Sequence, residues 1–113
     1  MRESILDSIK KMLGADAGCR AFDEDILIWI NSAIFTLHQL GIDSKTPGFV
    51  VTGSSQFWGD YLENIKDLEA VKNFIFYTVK LNFDPPDTAA HLQAMRESKD
   101  ELAWRLNVEV DPR

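Results

Sequence analysis

Residues 68–83, LEAVKNFIFYTVKLNF, constrain the fold more than any other stretch of this chain. Wound at 3.6 residues per turn, Leu68, Val71, Phe74, Ile75, Phe76, Tyr77, Val79, Leu81 and Phe83 take most of the circumference. Only a narrow polar wedge of Glu69, Asn73 and Lys80 remains. A helix that is apolar almost all round must be covered from several directions, so this segment reads as the central helix of an all-α bundle, beginning near Asp67. It stops at DPPD, where Pro85 and Pro86 cannot continue a helix and Asp87 is placed to cap the next one.

Three further helical patterns can cover it. In the first, Ser4 is an N-cap, Asp7 lies in the acidic first turn, and Ile5, Leu6, Ile9, Met12 and Leu13 recur at helical spacing before Gly14. The second, DEDILIWINSAIFTLHQLG, takes Asp23 as N-cap and Gly41 as its stop. Its core stripe is Ile26, Trp29, Ile30, Ala33, Ile34, Leu37 and Leu40. The last, TAAHLQAMRESKDELAWRLN, offers Leu92, Met95, Leu102, Ala103 and Leu106. Residues 42–66 are irregular: a turn-rich IDSKTPG, one brief strand at FVVT, and a single helical turn after GSSQF. The closing VEVDPR alternates apolar and acidic residues and reads as a short extended tail able to add an edge to another strand. The 113 residues form one helical domain of about four helices, with 106–113 as that tail.

Aromatic residues raise the functional question. Trp104 falls on the charged side of its helix, one turn after Asp100 and two after Glu97. It is either covered by the C-terminal tail or seated against a second subunit, where a large aromatic with a wet charged rim is a common anchor. Ile28 and Phe35, seven apart, form a second apolar patch opposite the core stripe, covered by residues 49–58 or by another chain. Phe57 and Trp58 plug the core or a neighbouring chain. With Val108 and Val110 of the tail, these are the candidate interface residues.

No constellation supports catalysis. Asp23, Glu24 and Asp25 suit the positive end of a helix dipole better than acid–base work. His38 and His91 fall on different helices without metal-ligand spacing, and the glycines make no phosphate loop. Neither an enzyme nor a bound cofactor or metal is expected. Net charge is −6, without a basic run, which argues against sequence-specific DNA binding. The lone Cys19 cannot form an internal disulfide and suits a reducing cytosol. MRESILDSIKKML reads as an amphipathic helix rather than a signal peptide, and no stretch reaches bilayer length, so no membrane role is expected.

Taken in order, SILDSIKKMLG, DEDILIWINSAIFTLHQLGI, LEAVKNFIFYTVKLNFDPP and ELAWRLNV resemble the small head–tail connector, or head-completion, proteins of tailed bacteriophages. The likeness covers nearly the whole chain and is loosest over residues 43–60. It implies a non-enzymatic helical subunit that assembles as a homo-oligomeric ring beneath the portal, twelvefold if it matches a twelvefold portal, and extends the DNA channel. The partners implied are the chain itself, the portal protein and the next connector or tail-completion protein, with DNA passing nearby. The location implied is the virion, after a free stage in the host cytoplasm. The competing expectation is a small regulatory helical module that binds one phage or host protein through the same patches.

Overall fold

The computed structural model describes residues 3–14, 20–42, 48–62 and 68–110, with side chains through Asn107. Among these are five helices: α1 (Ile5–Leu13), α2 (Asp23–Gln39), α3 (Trp58–Tyr61), α4 (Leu68–Phe83) and α5 (Ala89–Val110). The architecture is all-α. Cys19, Asp67, most of the IDSKTPG turn and residues 111–113 lie outside the described residues.

The apolar circumference of α4 puts it at the centre, packed against α1, α2 and α5. Val71, Phe74, Ile75 and Val79 are buried on it, facing Ile5, Leu6 and Ile9 of α1 and Ile26, Ile30, Ala33 and Leu37 of α2. The short α3 adds Trp58 and Tyr61 to the same core. Leu106 is the fully buried side chain of α5, while Leu92, Met95, Leu102 and Ala103 are half-buried.

The helix ends follow local chemistry. The Ser4 hydroxyl accepts from Asp7 N at 3.3 Å, and Gly14 ends α1 in the left-handed region at φ 82°. At the end of α2, Gly41 N donates to His38 O and Ile42 N to Leu37 O, with Gly41 at φ 102°. These two bonds make a Schellman motif, which needs that positive φ.

Several expectations are corrected. Asp23 is the first helical residue of α2 rather than its cap, and Phe22 holds the cap position without a side-chain bond. The carboxylate is drawn instead to Lys10, whose Nζ lies 2.8 Å away and which is only 2% exposed. A buried ammonium is costly without a counter-charge. Thr88, not Asp87, caps α5: its hydroxyl accepts from His91 N at 3.2 Å and its carbonyl from Leu92 N at 3.0 Å.

FVVT forms no strand. Val51 finds its backbone partners in the Asn31 side chain, which donates to Val51 O at 2.9 Å and accepts from Val51 N at 2.7 Å. Nor is the VEV stretch an extended edge, because α5 continues to Val110. Burial of Leu106, and a bond from Asn107 Nδ2 to Leu40 O at 3.0 Å, dock the last turns of α5 on the end of α2. Among the described residues the strand-like pairing is limited to one antiparallel bridge, Ser4 with Phe57. No helix among them is long and apolar enough to cross a membrane.

Candidate interaction surface

The aromatics separate into those used inside the subunit and those left outside. Trp58 is 3% exposed and donates from Nε1 to Ser8 Oγ at 3.0 Å, so it belongs to this chain's own core. Lys72 lies over its ring, 5.4 Å from the centroid, and pairs with Glu3 at 2.7 Å. That hydrogen bond holds the Glu3 carboxyl below its ordinary value. Phe57 is half-buried, and its backbone N–H donates to the Asp60 carboxylate at 3.0 Å, tightening the turn into α3. Tyr61 stacks on Phe49 at 5.3 Å. Its hydroxyl is buried without a hydrogen-bond partner, and burial raises the phenol well above its ordinary range, so it stays protonated.

Ile28 and Phe35 are 60% and 62% exposed, and Trp104 is 67% exposed. Residues 49–58 do not fold over the α2 patch. They run beside it, because Asn31, on the same side of α2 as Ile28 and Phe35, holds the backbone of Val51. Val50 is exposed and Val51 buried. The interface expectation for Val108 and Val110 lies outside the described side chains.

Three further apolar residues are exposed: Met12, expected in the apolar stripe of α1, is 38% exposed, and Val50 and Phe22 escape sequence reasoning. Val50 is signalled only by its alternation with Val51, too short a run to assign. Phe22 sits in a loop without periodicity, 55% exposed and edge-on to Phe83 at 5.5 Å.

Between α4 and α5 runs an open groove of about 230 Å3 lined by Asn73, Tyr77, Ser98, Glu101, Leu102 and Arg105. Its one ion pair is Glu101 with Arg105 at 2.6 Å. The lining offers hydrogen-bonding groups without a nucleophile and base side by side. His38 and His91 are not brought together: the Asn107–Leu40 bond places the end of α5 by the end of α2, and His91 lies roughly 24 Å back along α5 at 1.5 Å per residue. No group of three His, Cys, Asp or Glu able to hold a metal occurs among the described residues. The arrangement is one of exposed apolar residues, on α2 with acids at its first turn and on α5 among charges of both signs.

No curated protein and no solved structure matches the chain. The family model described as "Phage connector protein" matches residues 5–113, from the first residue of α1 to the C-terminus. Every described helix lies within that span, and the chain belongs to this family of structural phage connectors.

Proposed function

We propose that the protein joins the portal of the DNA-filled head to the tail by assembling as a ring that extends the DNA channel. The observation that carries the reading, beside family membership, is the pair of unlike apolar faces on one subunit: Ile28 with Phe35 on α2, and Trp104 on α5. A ring closes through heterologous contacts, in which two different patches of each subunit meet. Phe57 lies near neither exposed stripe in sequence and is half-buried, so it is a rim residue of such a contact at most. The acidic balance suits a passage that DNA must slide through without sticking. The protein acts in the virion, at the head–tail junction.

Native mass spectrometry of the purified protein, alone and with portal, across a range of salt tests this. A closed ring, or saturable stoichiometric binding to portal, is expected. Added salt should favour assembly, because it screens repulsion between subunits that each carry −6. A monomer or dimer indifferent to portal at every salt concentration would replace the connector role with a regulatory module.

A further inference from the structure

Two helix ends meet at a charge pair that dipole chemistry alone does not draw inside. Lys10 lies in the last turn of α1 and Asp23 opens α2, positions where each charge suits its helix dipole. Solvent serves that purpose as well: Lys11 on α1, and Glu24 and Asp25 on α2, are exposed beside them. Lys10 and Asp23 turn inward instead. The lysine is 2% and the aspartate 14% exposed, with Nζ 2.8 Å from Oδ1. Enclosing such a pair returns little net stability, because desolvating two ions offsets their attraction. What it does impose is choice: a buried ammonium tolerates only an arrangement that gives it a carboxylate.

The far end of α1 is where such a constraint acts. Its first turns are held by directional bonds: Ile5 N to Gln56 O at 3.0 Å, Trp58 N to Glu3 O at 3.1 Å, and the Trp58 indole to Ser8 at 3.0 Å. Beyond Ser8 the packing is aliphatic, with Ile9 buried and Leu13 half-buried against the core. Aliphatic packing gives up its uniqueness before it gives up stability, so a helix fixed at one end and merely packed at the other can swing. We propose that the Lys10–Asp23 pair is a positioning latch, which selects one placement of the C-terminal end of α1 against the head of α2 without adding net stability. Arg20 is its outer member. That guanidinium is 70% exposed and lies 3.5 Å from Oδ2 of the same carboxylate, so Asp23 has a cation at each oxygen.

The test uses the full chain in four forms: native, Lys10→Met, Asp23→Leu, and the two changes together. Urea unfolding reads stability, and nuclear magnetic resonance of the Ile9 and Leu13 methyl groups reads the placement of α1. Asp23→Leu strands the ammonium and should raise the unfolding constant on the order of a hundredfold or more. Lys10→Met should raise it less, because Asp23 keeps Arg20. The double variant should return to within about tenfold of the native constant, since an apolar pair of similar volume replaces the ions. Its Ile9 and Leu13 signals should nevertheless broaden or double, while Val79 of α4 stays a single sharp signal as in the native protein. A double variant with native stability and single sharp α1 signals would overturn the proposal, because packing alone would then place the helix. A double variant as unstable as Asp23→Leu, or one that does not fold, would also overturn it by making the pair a source of stability. So would Asp23→Leu with the native unfolding constant, since Lys10 would then not depend on that carboxylate.

Discussion

The α1–α3 end of the molecule and the C-terminal half of α5 use tryptophan in opposite ways. Trp58 is enclosed: the Ser8 hydroxyl takes its N–H, Lys72 covers its ring, and Glu3 holds Lys72. The backbone adds two bonds, Ile5 N to Gln56 O and Trp58 N to Glu3 O, which tie the first residues of the chain to the entry of α3. Trp104 has neither an enclosing side chain nor a bonded indole among the described residues, and the helix that carries it buries Leu106 alone completely. One end uses its aromatic in folding, and the other leaves it exposed. An exposed side chain costs its subunit little when truncated, whereas a core residue cannot be changed without loss. Stability should therefore be distributed very unequally between two residues of the same type.

The sharpest way to break this comparison is to truncate both. Trp58→Ala removes a fully enclosed ring and leaves a cavity among α1, α3 and α4, which typically costs about 3–5 kcal/mol. Trp104→Ala removes an exposed ring and should change stability by no more than about 0.5 kcal/mol. Urea unfolding followed by far-ultraviolet circular dichroism measures both. Equal losses would mean that Trp104 is a folding residue and that the contrast between the two ends is false.

An intermediate effect is expected at Asn31, which sits between the two regimes. Its side chain serves the N–H and C=O of Val51 as a neighbouring strand would. Asn31→Ala leaves both backbone groups without that partner, at a cost of about 1–3 kcal/mol. Asn31→Asp keeps the acceptor and loses the donor, so it should fall between alanine and the native protein. Hydrogen exchange at the Val51 amide should rise in Asn31→Ala. An amide that stays protected would show that packing, not the Asn31 clamp, holds Val51 against α2.

That clamp also marks the limit of what could be read from the chain. The Ser4 cap, the Gly14 and Gly41 stops and the central place of α4 were legible because each depends on residues within one or two turns. The outward position of Ile28 and Phe35 follows from the same periodicity. What was not legible depends on contacts distant in sequence. Asn31 lies 20 residues from Val51, and nothing in FVVT announces that a side chain will replace a strand. Asp23 looked like a cap because acids favour helix starts, and only the fold brings buried Lys10 to it. Asp87 and Thr88 are both good caps, and local chemistry does not choose between neighbours. The alternation in VEV is too short to outweigh a helix that docks Leu106 and Asn107.

The smallest expected effect sharpens the comparison from the side of charge. Glu3 is 55% exposed in its pair with Lys72, which is 15% exposed, and a pair of this kind contributes no more than about 1 kcal/mol. The hydrogen bond from Lys72 lowers the Glu3 carboxyl below its ordinary 4.5 in the folded state. A depressed folded-state value means that the pair's contribution is fully present above the unfolded carboxylate value. It disappears as pH falls through the folded one. Glu3→Gln should therefore be less stable than the native protein near neutral pH, and the two should converge as the solution is made more acid. Because Lys72 also covers Trp58, the variant should shift the fluorescence of the buried indole while leaving iodide quenching of the exposed Trp104 unchanged. A stability gap that persists in acid would assign the effect of Glu3 to packing rather than to charge. A change in Trp104 quenching would show that the two ends communicate through α4, and their division of labour would then be one cooperative surface instead of two independent ones.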